Sequence, residues 1–315
     1  MTMHSNPKPR RTAGTFVMLG AAAFLICQPV AAQPATQQYF ATPEAAVAAL
    51  SAALKKGDTA ALLRLAGKDH KALVTTGVPA EDAANYAEST ARLNTFAKLD
   101  TVNDDERVLL VGAEAWPFPI PIVREAKGWR FASELGEQEL INRRIGENEL
   151  HAIEVMKAFP VAERQFAAAD RDGDGVVEYA VKLKSSANKH DGLYWTADPE
   201  KGEEVSPWGP LIAVSAIDVE NRTPDQPYRG YLYRVLMRQG PNAAGGALDY
   251  VINGHMVAGY GLVAFPAEPG VTGVMTFIVN QDGKVFQRDL GKETVQVGST
   301  MTTFDPGKGW VPVEP

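Results

Sequence analysis

Three aspartates at alternating positions open the stretch Asp170-Arg171-Asp172-Gly173-Asp174-Gly175-Val176-Val177-Glu178-Tyr179. In a calcium-binding helix–loop–helix, positions one, three and five supply carboxylate oxygens, and position six is glycine for a sharp turn. Asp170, Asp172, Asp174 and Gly175 fit these places. The Val176 carbonyl fits position seven and Glu178 fits position nine. Position twelve carries a bidentate glutamate in a full loop; here it is Val181, which cannot ligate. Calcium takes six to eight oxygens, so Glu178, a distant acid such as Asp191, or water has to complete the shell. The alternative is a solvated Asx-turn, in which the same side-chain oxygens cap local backbone donors. The expected metal set is Asp170, Asp172, Asp174, Val176 and Glu178, with calcium the one cofactor considered and an affinity in the millimolar range of extracellular modules.

No other motif carries a complete chemistry. After the first 32 residues the histidines are His70, His151, His190 and His255, and none stands in a paired metal-ligand spacing. No Gly-x-Ser-x-Gly elbow occurs. A triad of His255, Asp249 and a distant serine is conceivable, but Asn253-Gly254 beside it reads first as a β-turn. Gly240 to Gly246 (GPNAAGG) lacks the Lys-Ser/Thr of a phosphate loop and reads as a long hairpin loop. Tyr194, Trp195, Trp208, Tyr228, Tyr231 and Tyr233 form either a sugar- or peptide-binding platform or a core under a thin sheet, and alternating strand positions favour the core. No catalytic residue is assigned, and the sequence points away from an enzyme without deciding the matter.

The elements that must position the acidic loop divide into two sets. Thr42-Pro43-Glu44 starts a helix with a capping hydroxyl, a first-turn proline and an acid near the positive end. Gly57-Asp58 ends it and starts a second, and a third is expected from Ala80 to about Lys98. Strands follow at Arg107 to Val111, at Ile122 to Glu125 and at Gly128 to Ala132, with a proline-rich edge or crossing at Trp116 to Pro121. Glu134 to Ala169 is helical, with Gly146 and Pro160 expected to break it. After the loop come strands at Gly230 to Met237, Asp249 to Ile252, Val257 to Phe265, Gly273 to Val279 and, last, Lys284 to Arg288 beyond a turn at Asn280–Gly283. The expected fold class is α+β: N-terminal helices on a small antiparallel sheet, then a long helix and an antiparallel meander.

Two helices followed by a sheet ending in KGWRF are similar to cystatin- and NTF2-like domains. A long helix followed by a meander carrying AFPAEPGVTGVMTFIVNQDGKVF resembles the head of type IV pilin-like proteins. Across the chain, WPFPIPI at Trp116 to Ile122, RIGENEL at Arg144 to Leu150, DRDGDGVVEYA at Asp170 to Ala180, DGLYW at Asp191 to Trp195, and the stretches Gly245 to Gly254 and Gly270 to Gly283 resemble the exported bacterial family catalogued as domain of unknown function 2950. That resemblance implies an envelope protein and supplies no activity.

The first 32 residues read as a Sec-type signal peptide: Lys8, Arg10 and Arg11, an apolar run from Thr15 to Cys27, and cleavage after Ala32. These residues hold three cations and no acid, so their removal takes the formal charge from −7 to −10 and removes the only cysteine. An acidic chain repels phosphate backbones, which excludes nucleic acid as an expected partner. No later apolar run is long enough for a membrane span. The expected organisation is a signal peptide at 1–32, an N-terminal α+β domain at 33–145, and a pilin-like domain at 146–315 carrying the acidic loop 170–179. The expected role is an exported periplasmic or secreted accessory or protein-binding protein without catalysis, with an envelope protein as partner. The alternative is an enzyme or small-ligand carrier using a pocket in the cystatin-like half.

Overall fold

The computed structural model describes residues 37–209 and 226–314. The expected leader, its cleavage position and Cys27 lie outside the described residues, as does Leu211. Helix α1 (Pro43–Lys56) begins where the sequence places it: Thr42 Oγ1 accepts the Ala45 N–H, and Pro43 occupies the first turn. Gly57 closes it in the left-handed region at φ 62°, donating to the Ala53 and Leu54 carbonyls. Asp58 then caps α2 (Thr59–Ala66) by accepting the Ala61 N–H at 2.8 Å. A 3-10 turn (Lys68–Leu73) and α3 (Pro79–Thr95) follow.

The third helix stops short of Lys98. Ala97–Asn103 is instead a strand, β1, pairing antiparallel with β2 (Glu106–Val111). It is an edge strand exposed on nearly every residue, so the sequence carries no hydrophobic alternation to betray it. With β3 (Trp116–Pro117), β4 (Ile122–Glu125) and β5 (Gly128–Phe131) it completes an antiparallel sheet, in which β3 pairs with β2. The three helices bury Leu50, Leu54, Leu62, Leu65 and Tyr86 against Leu109, Ile122, Trp129 and Phe131.

Helix α4 spans Ser133–Phe166 without interruption, through both residues expected to break it. Gly146 has open space around it. Pro160 forfeits one backbone hydrogen bond, but one side of the surrounding turn is packed, with Phe159 and Ala162 at 0% exposure and the Tyr260 hydroxyl donating to the Pro160 carbonyl. At 34 residues the helix is about 50 Å long. Its first turn lies on the N-terminal sheet, where Gly136 meets Ile120, and its last turns carry Ala152, Met156, Phe159, Ala162 and Phe166 into a second core.

That core lies under an antiparallel sheet ordered β15-β13-β12-β11-β6, formed by β6 (Tyr231–Leu236), β11 (Gly261–Pro266), β12 (Met275–Asn280), β13 (Phe286–Asp289) and β15 (Val311–Pro312). Gly283 closes the β12–β13 turn at φ 75°. The short strands β7 (Arg238–Gln239), β8 (Leu248–Asp249), β9 (Val251–Ile252) and β10 (His255–Met256) lie between β6 and β11 in the chain. Thus Val257 to Tyr260 is not strand, and the expected Val257–Phe265 run begins later. β13 is also not last: helix α5 (Thr294–Thr300), β14 (Thr303–Phe304) and β15 follow, with β14 pairing parallel to β7. Two-residue strands are too short to show a period, which is why the sequence reading stopped at Arg288. Trp195, Trp208 and Tyr231 are buried in the core and Tyr194 and Tyr233 pack half-buried against it, but only Tyr231 and Tyr233 lie on a strand, so alternation accounts for these two alone. The molecule is α+β, with helices leading and a strand meander trailing.

Candidate metal centre

Helix α4 delivers the chain into the acidic loop. Arg171, at the second position, fixes the entry: its Nε donates to the Phe166 carbonyl at 3.0 Å, one of the carbonyls a helix end leaves unpaired. The same guanidinium pairs with Glu204 at 2.9 Å and lies over the Phe166 and Trp195 rings. Sequence reasoning gave Arg171 no role, because its partners come from both sides of the loop.

The loop folds on its own carboxylates. Asp170 Oδ1 accepts the Gly173 N–H at 2.8 Å and Oδ2 the Gly175 N–H at 2.9 Å. Asp172 accepts from Asp174 N at 3.4 Å, and Asp174 from Val176 N at 2.8 Å. Gly173 and Gly175 sit at φ 78° and 91°, a region L side chains rarely adopt. Nothing crowds either glycine, so the backbone conformation alone requires it. The Gly175 and Gly173 N–H groups hold the Asp170 carboxyl below the usual carboxylate range.

Asp170, Asp172 and Asp174 each offer an oxygen within 4.8 Å of the others, and all three residues are exposed. The structure therefore brings together the three aspartates the spacing selected. Val176 follows after Gly175, and its N–H donates to Asp174 Oδ1. Glu178 lies beside the three aspartates rather than among them. Its Oε2 accepts the Met256 N–H at 3.2 Å and lies 3.4 Å from His255 Nδ1. That imidazole nitrogen is also 3.4 Å from Asp174 Oδ2, so His255 bridges the cluster to Glu178. Asp191 is likewise engaged, by Lys182 at 2.7 Å and by the N–H and hydroxyl of Ser186; these contacts offset the cost of burial and draw its carboxyl down to about 2. Val181 at position twelve is a half-exposed hydrophobic residue. The loop borders an open cleft of about 560 Å³ lined by Asp172, Glu178, Lys182, Lys189, His190 and Asp191.

Past the loop the chain is sewn to the sheet side. Tyr179 N donates to the Met256 carbonyl, and Tyr179 packs edge-on against Tyr260 with ring centroids 4.6 Å apart. The other histidines have separate surroundings: His70 lies 2.9 Å from Glu137, His151 lies between Glu154 and Arg229, and His190 stacks on Trp195. Asp249 faces Arg238 rather than His255, so the triad considered from the sequence is not assembled. The Gly240–Gly246 hairpin loop folds around Gln239, whose amide donates to the Ala244 and Gly246 carbonyls.

No helix among the described residues is long and apolar enough to cross a membrane. A family model described as "Protein of unknown function (DUF2950)" matches residues 37–313, and the chain belongs to that family. No curated protein and no solved structure matches it.

Proposed function

For this member of the family we propose an exported envelope accessory protein in which the acidic loop binds calcium as a structural ion. The reading rests on one observation: three carboxylates converge within 4.8 Å on a loop whose own N–H groups hold them in place. Three like charges so close repel each other at neutral pH, and a divalent cation relieves that repulsion. The ion would act between the end of α4 and the segment carrying Glu178 and Tyr179, pinning helix to sheet. Carbonyl and water ligands would complete the shell, which points to weak, extracellular-type affinity. The accessory, protein-binding role draws on the signal-peptide reading and on the pilin-like pattern of the C-terminal half; the partner would be another envelope protein.

Thermal unfolding of the purified protein with and without calcium tests the ion. With a Kd of about 0.1–1 mM, about 10 mM calcium is roughly ten to a hundred times Kd and stabilises the folded state, the only one it binds, by about 1.4–2.7 kcal/mol. For a chain of this size that is a rise in Tm of several degrees. Asp170→Asn and Asp172→Asn should abolish the rise. An unchanged midpoint at about 10 mM calcium, above the millimolar range of such sites, overturns the reading. The accessory role is tested by retaining envelope extracts on the immobilised protein, where no specific partner would count against it.

A further inference from the structure

A cavity of about 190 Å³ opens in the N-terminal half, remote in sequence from the acidic loop. Leu50 and Leu54 of α1, Leu62 and Leu65 of α2, and Phe118 and Phe131 from the sheet side supply its apolar walls. No charged side chain lines it among the described residues. Another wall is the segment around Ala72–Thr76, between Gly67 and Gly77, which sit at φ 93° and 85°. Asp82 holds that wall by accepting the Thr75 hydroxyl and, at 2.7 Å, the Thr76 N–H.

The polar groups of the lining divide into two kinds. Tyr86 is spent: its hydroxyl donates to the Val74 carbonyl at 3.0 Å and meets Thr59 Oγ1 at 3.2 Å. The Thr75 and Thr76 hydroxyls are spent on Asp82. Asn85 and Ser89, one turn apart on α3, also line the cavity, and their side chains make no hydrogen bond to the described residues. Asn85 is exposed and Ser89 half-buried, so two hydrogen-bonding side chains free of protein partners stand at the open mouth of an apolar cavity.

We propose that this cavity is a binding site for a small neutral molecule: a single ring with one hydroxyl or carbonyl substituent directed at Asn85 and Ser89. Size sets the upper limit. A cavity of about 150 Å³ lined by Leu, Ile and Phe accepts benzene, so the volume here suits one ring with a small substituent. Charge sets the class. An ionised group in this cavity meets no counter-charge in the lining, whereas a neutral hydroxyl finds Asn85 or Ser89 at the mouth. The site is independent of the calcium reading.

Phenol is the probe, titrated without calcium into the purified protein and followed by NMR shifts. The expected result is saturable one-to-one binding, with shifts centred on Leu62, Tyr86 and Ser89. Benzoate, the same ring carrying a charge, should bind at least roughly tenfold more weakly. Leu62→Phe fills the chamber and should weaken phenol binding by a similar factor while the protein stays folded. If that variant does not fold, Ser89→Leu obstructs the same wall and serves in its place. The double variant Asn85→Ala, Ser89→Ala should lose roughly fivefold for phenol, the worth of one net hydrogen bond, with no loss for benzene. Absent or non-saturable shifts, benzoate binding as tightly as phenol, or a filled variant binding like the parent would each overturn the proposal.

Discussion

Glu163 Oε2 accepts the Ala180 N–H at 2.8 Å, joining helix α4 to the chain just beyond the acidic loop in the interior of the molecule. The residue is fully buried, and its second oxygen has no hydrogen-bond partner among the described residues. The acidic loop is therefore tied to α4 at both ends, by Arg171 at its entry and by a buried carboxyl at its exit.

Burial pushes the Glu163 carboxyl well above 4.5, the ordinary value for glutamate. A folded-state value raised above the unfolded one means that the native protein holds the extra proton. The associated stability is complete below the unfolded value and is lost as pH rises toward the folded one. Glu163→Gln removes the titrating group at nearly constant shape. The parent should lose Tm relative to this variant as pH is raised from about 5 to about 9. Thermal unfolding across that range checks it, and parallel profiles would show that Glu163 is not the cause.

His255 lies 3.4 Å from carboxylate oxygens of both Asp174 and Glu178, where a cation already has two acids to neutralise. His255→Lys places a permanent positive charge beside the proposed calcium site. Calcium affinity should fall roughly fivefold, as expected for about 1 kcal/mol between partly exposed charges, and the loss should shrink at high salt. His255→Gln, which is neutral, should bind like the parent. Isothermal titration distinguishes the two, and equal affinities for all three proteins would place His255 outside the ion's field.

The Thr75 hydroxyl and the Thr76 N–H hold the Asp82 carboxyl below its ordinary 3.8. Here the sign is the reverse of Glu163: the clamp is intact above the unfolded value and is lost as pH falls through the depressed folded value. Asp82→Asn accepts fewer hydrogen bonds and should give faster amide exchange at Thr76 near neutral pH. The parent should approach the variant only in acid, below about pH 4. If exchange at Thr76 is the same in both proteins near neutral pH, Asp82 does not hold this wall of the cavity.

Two helical glycines should respond oppositely to alanine. A Cβ at Gly298 in α5 runs into the ring of Phe265, which is 1% exposed and has little room to move. Overpacking of this kind costs about 1–3 kcal/mol. Gly146 in α4 has open space and ordinary helical backbone, so Gly146→Ala should stabilise by about 0.5–1 kcal/mol. Denaturant unfolding of the two variants measures both signs. Stabilisation of Gly298→Ala would mean that α5 does not pack on β11 as described.

Some of this molecule is written in short spans of sequence. The Thr42 and Asp58 caps, the left-handed Gly57 and the Asn280–Gly283 turn each depend on groups a few residues apart. The acidic loop is the same kind of feature. Its hydrogen bonds reach two to five residues along the chain, and its two glycines supply the positive φ the turn needs, so spacing alone places Asp170, Asp172 and Asp174 together.

Other parts escaped because their causes lie far away in the chain. β1 is held by pairing with β2 rather than by a buried face, so no periodicity marks it. Pro160 reads as a break by local rules, yet packing around Phe159 and Tyr260 keeps α4 whole. The amide of Asn85 and hydroxyl of Ser89, without partners among the described residues, take on meaning only at the mouth of a cavity built from three helices and a sheet.

The loop shows the division most plainly. The sequence by itself determined which carboxylates converge, because Asx-type hydrogen bonds and glycine backbone freedom act within one turn of chain. Only the tertiary structure decided the fate of Glu178, whose carboxylate is drawn to Met256 N, a donor 78 residues away. Likewise it alone decided that Glu163, unremarkable in a helical stretch, is buried with one oxygen on Ala180. Burial and long-range partners set the charge state and direction of a carboxylate, and neither is encoded by its immediate neighbours.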